Sequence, residues 1–261
     1  QAQQFTRYRI TPQFTDGASS VHAADLDGDG DNDILSASAN DNKIAWYENF
    51  DGEIGSQQII SLNADGALAV FAADLDGDGD LDVLSASNDD DKIAWYENLN
   101  GTRDFSGEKV ITNSAFGAVD VFAADIDGDG DQDVLSASTD DDTIAWYENG
   151  GTGAFSSAQD ITTSADFANS VHAADVDGDG DLDVLSSSFT DDTIAWYENL
   201  NGDGSFSTAR VINASANEAI NVFAADLDGD GDQDVISASF GDNTVAWYEN
   251  TDGSGTFSAP K

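Results

Sequence analysis

The sequence predicts an all-β protein, a closed five-bladed β-propeller in which each blade is a four-stranded antiparallel sheet. The first observation is an acidic stretch, "AADLDGDGD" and close variants, whose first aspartate falls at positions 25, 74, 125, 175 and 226. The second is that all five tryptophans lie in "AWYEN" segments, each 21 residues after that aspartate. Such an internal period is typical of solenoids, propellers and arrays. The third is that each period divides into four short strands, the content of one propeller blade.

The fourth unit illustrates the four predicted strands. The segment "SVHAADV" at 170–176 leads into the acidic loop, and "DVLSSSF" at 183–189 leaves it. After the turn "DD" comes "TIAWYENL" at 193–200, and after the glycine-rich "NGDGSFS" comes "TARVINA" at 208–214. Short runs of β-branched and aromatic residues between clusters of Asp, Asn and Gly are typical of a strand meander.

The two ends of the chain predict how the ring closes. After the fifth "AWYEN" the chain reads "TDGSGTFSAPK", without the Val-Ile step of a fourth strand. The segment "FTRYRIT" at 5–11 precedes the first acidic loop as "TARVINA" precedes the fifth. We therefore expect an N-terminal strand to complete the last blade, which removes exposed sheet edges. With no break in composition, residues 1–261 are predicted to form one domain.

The acidic loop has the spacing of calcium ligands. Counting from Asp25, carboxylates occupy positions 1, 3, 5 and 9, glycine occupies position 6, and a backbone carbonyl is available at position 7. Two carboxylates about 4 Å apart repel by roughly 4 kcal/mol at an effective dielectric of about 20, so a cation is needed among them. Calcium accepts many oxygen ligands in flexible geometry, whereas magnesium demands a stricter octahedron. An EF-hand is excluded, because position 12 is Ser36 and a predicted strand follows.

The units resemble the FG-GAP/VCBS repeat family, which forms the blades of integrin alpha-chain head propellers and of many secreted microbial and algal proteins. The resemblance is carried by the D-x-D-x-D-G-x-x-D loop, by "LSAS" after it, and by "GAFS" at 153–156 and "GSFS" at 204–207. It implies one calcium ion per blade, about five in all, between the first and second strands. The implied ligands, with the fourth residue of each loop acting through its backbone carbonyl, are Asp25, Asp27, Asp29, Asp31 and Asp33; Asp74, Asp76, Asp78, Asp80 and Asp82; Asp125, Asp127, Asp129, Asp131 and Asp133; Asp175, Asp177, Asp179, Asp181 and Asp183; and Asp226, Asp228, Asp230, Asp232 and Asp234.

The resemblance does not extend to ligand recognition of the integrin kind. Integrin heads resemble seven-bladed rings that carry the acidic loop in only some blades, whereas all five units here carry it. The shell of carboxylates, a carbonyl and a water is nearly complete, so we expect each ion to be structural rather than an open binding site.

Composition restricts the partners. There are 52 acidic against 8 basic residues, a formal charge of -44, and five calcium ions would leave -34. Nucleic acid and anionic membrane surfaces require positive charge, so both are excluded as partners. There is no cysteine, no recognisable signal peptide, and no apolar run long enough for a membrane span. We expect an extracellular protein, secreted or at the cell surface, that is a monomer or a module of a larger protein.

Other residues leave alternatives open. The tryptophans have the register of inter-blade packing, although aromatic faces also stack on sugars. His22 and His172 replace the phenylalanine of "VFAAD" in strands expected to line the channel, where packing is favoured over a transition-metal site. The acidic turns "NDDD" at 88–91, "TDDD" at 139–142 and "FTDD" at 189–192 are expected to be solvated, with a ligand or cation surface as the alternative.

The predicted function is a non-catalytic, calcium-stabilised propeller for extracellular adhesion or for protein or glycan interaction. The alternative is a multivalent lectin whose sugar sites repeat between blades. A less favoured alternative is a part of a polysaccharide-degrading enzyme. A catalytic site should break the repeat at one place, and no unit does so, which argues against an enzyme.

Overall fold

The computed structural model describes residues 15–101 and 104–261, and this part of the chain is all β with no helix. Each unit begins with a first strand, the one expected to line the channel: β1 Ala18–Ala24, β7 Ala67–Ala73, β11 Ala118–Ala124, β15 Ala168–Ala174 and β19 Ala219–Ala225. The second strands follow the acidic loops: β2 Asp33–Ser38, β8 Asp82–Ser87, β12 Asp133–Ser138, β16 Asp183–Ser188 and β20 Asp234–Ser239.

The third strands carry the tryptophans: β3 Lys43–Tyr47, β9 Lys92–Tyr96, β13 Thr143–Tyr147, β17 Thr193–Tyr197 and β21 Thr244–Tyr248. The fourth strands are β6 Gln58–Ser61, β10 Lys109–Thr112, β14 Gln159–Thr162 and β18 Arg210–Asn213. A small hairpin, β4 Asn49–Phe50 with β5 Glu53–Ile54, extends the first blade. The strands of each unit pair antiparallel in chain order, which confirms the predicted meander.

The first four blades have four strands each, and the fifth has three within the described residues. At the position of the missing strand, Lys261 exchanges two backbone hydrogen bonds with Trp247, of 2.9 and 3.1 Å. Arg210 pairs with Trp196 in the same register at the start of β18. The segment at 5–11, which was predicted to complete this blade, lies outside the described residues.

Successive blades pack face to face through a joint that is built four times. A valine of each first strand, Val70, Val121, Val171 and Val222, is only 2–5% exposed, because it packs in the hydrophobic core shared with the preceding blade. The first four tryptophans are buried in the same cores, at 1–3% exposure. Their predicted packing role is confirmed, and their faces are not accessible to a sugar.

The glycine of the "GAFS" and "GSFS" segments is explained by its close approach to a tryptophan of the preceding blade. Gly204 has a φ of +75°, and a Cβ atom built on it would lie 2.2 Å from the Trp146 ring. Gly153 meets Trp95 in the same way. No larger residue fits between these blades without displacing the ring.

In the described part of the chain, the first and fifth blades do not pack on each other, and one sheet face of each remains uncovered. Val21 of β1 and Val245 of β21 are each 73% exposed, although their equivalents in the other blades are buried. First strands pack pairwise from β1 through β19, but β1 and β19 do not pack in this way. Closure of the ring therefore stays a prediction.

Candidate metal centres

Each acidic loop joins the first and second strands of its blade and wraps around its first aspartate. The two carboxylate oxygens of Asp25 accept hydrogen bonds from the backbone N–H groups of Gly28 at 2.9 Å and Gly30 at 3.0 Å. Both glycines have positive φ, 73° and 98°, which non-glycine residues rarely adopt. The loop is therefore closed tightly enough to bring its alternate aspartates to one side.

Three carboxylates converge in every blade, with oxygen atoms within 4.8 Å of one another. Positions 1 and 3 of the loop contribute to all five triplets; the third member is position 5 in blades one, two and five and position 9 in blades three and four. The triplets are Asp25, Asp27 and Asp29; Asp74, Asp76 and Asp78; Asp125, Asp127 and Asp133; Asp175, Asp177 and Asp183; and Asp226, Asp228 and Asp230.

The side chains at position 7 belong to none of these triplets. The carboxylate of Asp31 accepts a hydrogen bond from the backbone N–H of Asp51 at 2.8 Å. The carboxylate of Asp131 lies so close to Gly151 that a Cβ there would be 2.4 Å from it. These contacts direct the position-7 carboxylates towards the chain that follows the third strand, and coordination through the position-7 backbone carbonyl stays a prediction.

The aspartate at position 9 is buried and ties the loop to the third strand. In blade three, the two oxygens of Asp133 accept hydrogen bonds from the N–H groups of Ile126 at 3.0 Å and Asn149 at 2.7 Å. Burial raises the pKa of Asp82, Asp133 and Asp183 to about 7, and repulsion from neighbouring aspartates adds to the rise. The hydrogen bonds from the two backbone N–H groups lower the pKa, but burial outweighs them. A cation in the loop would oppose this shift by favouring the charged form.

Two observations fit the loops to a hard divalent cation. Oxygen Oδ1 of Asp76 and oxygen Oδ1 of Asp125 are buried and accept no hydrogen bond from the protein. Burial raises the pKa of Asp76, and the neighbouring carboxylate of Asp78 adds to the shift. Unsatisfied hard oxygens under mutual repulsion are the ligands that calcium prefers. One triplet per repeat can therefore hold a metal ion.

The sequence interpretation missed the asparagine that ends each "AWYEN" segment. In blades two to five, its side-chain amide donates a hydrogen bond to a carbonyl in the acidic loop of the preceding blade. These four residues, the bridging asparagines, reach their carbonyls at 2.7–2.8 Å: Asn98 to Leu26, Asn149 to Leu75, Asn199 to Ile126 and Asn250 to Val176. Each is at most 1% exposed. The signal was its constant register, 24 residues after the first aspartate of its own loop.

The histidines lie in a row of stacked aromatic rings on the first strands. His172 lies between Phe122 and Phe223, with ring centroids 4.6 and 4.5 Å apart, and His22 lies 4.6 Å from Phe71. Burial lowers the pKa of His172 to about 4. These contacts support the predicted packing role, and within the described residues neither histidine belongs to a group that could hold a metal ion.

The acidic turns have a structural role that the sequence did not indicate. Asp91, Asp142 and Asp192 each have a φ of 58°. The carboxylate of Asp142 accepts a hydrogen bond at 2.9 Å from the N–H of Phe167, in the segment that leads to the next blade. Within the described residues, these turns contain no metal-capable triplet.

Pockets recur between neighbouring acidic loops. The pocket between blades two and three has a volume of about 510 Å³, and those between blades four and five and between blades three and four have about 400 and 220 Å³. Each has the loop of one blade on one side and the loop of the next blade on the other. In the largest, Asp74 and Leu75 face Asp131 and Gln132 across a floor that includes Phe71.

The fold and these loops define an all-β repeat protein with one metal-capable loop in each blade. The model of the FG-GAP-like repeat matches at residues 25–85, 74–136, 125–186, 175–237 and 226–261, so the chain belongs to this repeat family. No well-characterised protein matches the chain by sequence. Within the described residues, no helix has the length and hydrophobicity needed to cross a membrane.

Solved structures share the fold at low sequence identity. One is an Agrocybe aegerita lectin that recognises non-reducing terminal N-acetylglucosamine, with a TM-score of 0.66 and 23% identity over 93% of this chain and 65% of that chain. Another is the V. cholerae biofilm matrix protein Bap1, with a TM-score of 0.53 and 24% sequence identity over 96% of this chain and 40% of that chain. A third is the exotype rhamnogalacturonan lyase YesX, with a TM-score of 0.53 and 15% sequence identity over 91% of this chain and 48% of that chain. The chain thus spans less than two thirds of each of these proteins.

Proposed function

We propose that the protein is a non-catalytic calcium-binding β-propeller module for extracellular adhesion or for protein or glycan interaction. The observation that carries the proposal is the convergence of three carboxylates in every one of the five blades. In this proposal each ion is structural: it neutralises the loop and holds the first and second strands of a blade together. The ligands are the aspartates at positions 1, 3, 5 and 9 and the carbonyl at position 7.

Calcium suits these loops better than other ions. All side-chain donors are carboxylates, and the spacing of the chain around Gly30 and its equivalents supplies a carbonyl next to them. Soft transition metals favour thiolate or imidazole ligands, and the chain has no cysteine and two histidines, both outside the loops. Extracellular modules often bind calcium with dissociation constants of about 10⁻⁴ to 10⁻³ M, which matches the proposed location.

To test the proposal, metal-stripped protein is loaded with calcium, and the bound calcium per chain is measured by elemental analysis. We expect about five equivalents per chain, one for each triplet. The double variant Asp125→Asn with Asp127→Asn should lose one equivalent. The matched control, Asp140→Asn with Asp141→Asn, removes the same charge from an acidic turn and should lose none. Far fewer than five equivalents in the unmodified protein at millimolar calcium would refute the proposal.

The extracellular assignment and the kind of partner rest on composition and on the neighbours in fold. A formal charge of -44 is opposed to nucleic acid and anionic membranes. A lectin and a biofilm matrix protein share the fold, which supports a glycan or protein partner. Binding of the labelled, calcium-loaded protein to intact cells or matrix, abolished by chelator, would identify the source of the partner.

A second candidate, a multivalent lectin, is favoured by the pockets between neighbouring loops. Three of them recur at equivalent joints, and the largest combines polar groups of Asp131 and Gln132 with an apolar floor. Because the first four tryptophans are buried, sugars at these joints would have to bind in the pockets. A glycan array in calcium tests this: Gln132→Ala should weaken binding, whereas Gln58→Ala, on a fourth strand away from the pockets, should not. Failure to bind any arrayed glycan would eliminate this candidate.

We propose no catalytic activity, although a rhamnogalacturonan lyase shares the fold. The loops repeat with the same residue types in all five units, and no unit adds a distinct nucleophile, base and orienting group to them. Turnover assays on acidic polysaccharides in calcium test this point. Product formation above that of a heat-denatured sample would contradict it.

A further inference from the structure

Neighbouring acidic loops share one buried side chain, the bridging asparagine. In blade three, Nδ2 of Asn149 donates to the carbonyl of Leu75 at 2.8 Å in the loop of blade two, and to the carbonyl of Gln132 at 2.9 Å in its own loop. The backbone N–H of the same residue donates to Oδ1 of Asp133 at 2.7 Å. Asn149 therefore contacts two loops at once.

The carbonyl that each bridging asparagine reaches lies between the first two aspartates of a metal-capable loop. Leu75 occupies position 2, between Asp74 and Asp76, which both belong to the carboxylate triplet of blade two. Its own N–H donates to Oδ2 of Asp82 at 2.9 Å, at the other end of the loop. A shift of the backbone at Leu75 would therefore move Asp74 and Asp76 on either side of it.

The arrangement repeats at every joint between successive blades. The four carbonyl acceptors belong to residues whose side chains are 0–2% exposed, so neither donor nor acceptor has access to water. In blade five, the equivalent Leu227 is 46% exposed and no described asparagine donates to its carbonyl. Loss of one partner from such a buried pair is costly, because the other group remains unsatisfied.

We propose that the bridging asparagines couple neighbouring calcium sites, so that ion binding in one blade raises the affinity of the adjacent blades. The inference rests on the proposed calcium-binding function. Without an ion, repulsion between carboxylates opposes the closed loop; with an ion in blade three, the loop of blade three fixes Asn149. The fixed amide then holds the peptide of Leu75 and prearranges the triplet of blade two. Such coupling is reciprocal, and typical couplings change affinity by about 5- to 150-fold.

Electrostatic effects between sites have the opposite sign. A bound calcium ion reduces the negative potential of the protein, which lowers the attraction for the next ion. This effect is screened by salt, whereas a buried hydrogen bond is not; in about 0.5 M NaCl the Debye length is roughly 4 Å. Positive cooperativity at this ionic strength is therefore not an effect of the charge, and the Asn149 variant tests whether the bridges cause it.

In the experiment, the metal-stripped full chain is titrated with calcium in about 0.5 M NaCl, and calorimetry measures the binding. We expect about five equivalents and a Hill coefficient above 1. The variant Asn149→Ala removes the bridge between blades two and three but keeps the backbone bond to Asp133. We expect its Hill coefficient to fall and the product of its five association constants to drop about fivefold or more.

The matched control is Val121→Ala, which weakens packing at the same joint and changes a strand residue that belongs to neither acidic loop. Any destabilised protein can gain apparent cooperativity, because calcium binding then also drives folding. Val121→Ala should therefore leave the Hill coefficient unchanged or raise it, whereas Asn149→Ala should lower it. Of the two variants, only Asn149→Ala is thus expected to lower the Hill coefficient.

The outcomes separate this inference from the proposed function. Fewer than five equivalents in the unmodified protein would overturn the proposed function. Five equivalents with a Hill coefficient of 1 or below would overturn the coupling alone, even if Asn149→Ala cannot be folded. Equal Hill coefficients for Asn149→Ala and the unmodified protein would also overturn it.

Discussion

At the residue scale, the buried polar and titratable groups are those whose roles are clearest in the structure. The position-9 aspartates, the bridging asparagines and His172 are each held by specific neighbours. The spacing of the loop aspartates could be predicted from the sequence because a single loop contains them all. The bridging asparagines could not, because their acceptors lie 72–74 residues away in the chain.

His172 should make the protein less stable in mild acid. Its folded pKa of about 4 lies below the ordinary histidine pKa of 6.5, so the unfolded chain binds the proton more readily. The stability it contributes is complete above pH 6.5 and is lost as the pH falls towards 4, by on the order of 3 kcal/mol. His172→Phe, which introduces the residue found at Phe122, should therefore unfold less readily than the unmodified protein at pH 5.

The measurement is urea unfolding of both proteins in saturating calcium at pH 7.5 and pH 5. The titration of the acidic loops is common to both proteins and cancels in the difference between them. The same loss of stability between the two pH values in both proteins would contradict the assignment to His172.

The acidic turns give a second prediction at this scale. The φ of Asp142 is 58°, and its side chain accepts the N–H of Phe167, so the residue needs both a left-handed backbone and an acceptor. Asp142→Asn keeps both, as Asn42 does in blade one with the N–H of Gly66. It should be close to neutral, whereas Asp142→Ala should cost about 1–3 kcal/mol.

Unfolding free energies in calcium test this contrast. An alanine variant as stable as the asparagine variant would show that the turn does not depend on the side-chain acceptor.

At the element scale, each strand is determined by its own sequence, but the joints between blades depend on pairs of elements. The β-branched and aromatic runs predicted the strands, and the Asp, Asn and Gly clusters predicted their limits. The glycines of "GAFS" and "GSFS" were visible as a motif, but the reason for them is the tryptophan of the preceding blade. Only the packing of one sheet on the next brings each glycine close to that tryptophan ring.

Gly204→Ala should destabilise the protein by about 2–4 kcal/mol. The new Cβ would lie 2.2 Å from the Trp146 ring, and the φ of +75° disfavours any side chain. The control is Gly107→Ala, where no atom lies within 4 Å of the new Cβ. It should change stability by no more than about 0.5 kcal/mol. Equal effects of the two substitutions on urea unfolding would contradict the packing argument.

At the scale of the whole molecule, the proposed binding of calcium by five repeated loops would make stability depend on calcium. A site that binds only the folded state contributes roughly 2.7 kcal/mol when free calcium is about 100 times its dissociation constant. Five such sites together reach on the order of 13 kcal/mol, as much as the net stability of an ordinary domain. The closely spaced carboxylates of the loops are the physical reason.

Chelation should therefore lower the melting temperature sharply, and calcium should restore it. Magnesium should restore it poorly, because it demands a stricter geometry and retains its waters. Calorimetric scans of the metal-stripped protein with either ion test this. Superimposable melting curves with and without chelator would exclude a structural role for the ions.

The uncovered faces of blades one and five have complementary features. Among the described residues, Trp247 lacks the covering glycine that Trp146 and Trp196 have, and its Nε1 has no hydrogen-bond partner. In blade one, Gly52 stands at the equivalent register with no atom within 4 Å of a built Cβ. Docking of these faces on each other would repeat the existing joint a fifth time and close the ring, as the sequence predicts.

Cross-linking tests closure directly, because the chain contains no cysteine. In the joint between blades four and five, the side chains of Ser170 and Asn221 are 3.3 Å apart. The pair Ser170→Cys with Asn221→Cys is therefore the positive control for a short bismaleimide. In a closed ring, Ser20→Cys with Asn221→Cys should also cross-link within one chain. Reaction of the control pair alone would contradict closure.

The sequence by itself determined the repeat, the strand content of each blade and the position of the acidic loops. These features depend on residues close together in the chain, where spacing and side-chain chemistry suffice. The tertiary structure decided which residues join the blades: tryptophans under glycines, and asparagines on the carbonyls of a preceding loop. Such contacts form only when two sheets pack, and each sheet approaches its neighbour at a distance that no single repeat encodes.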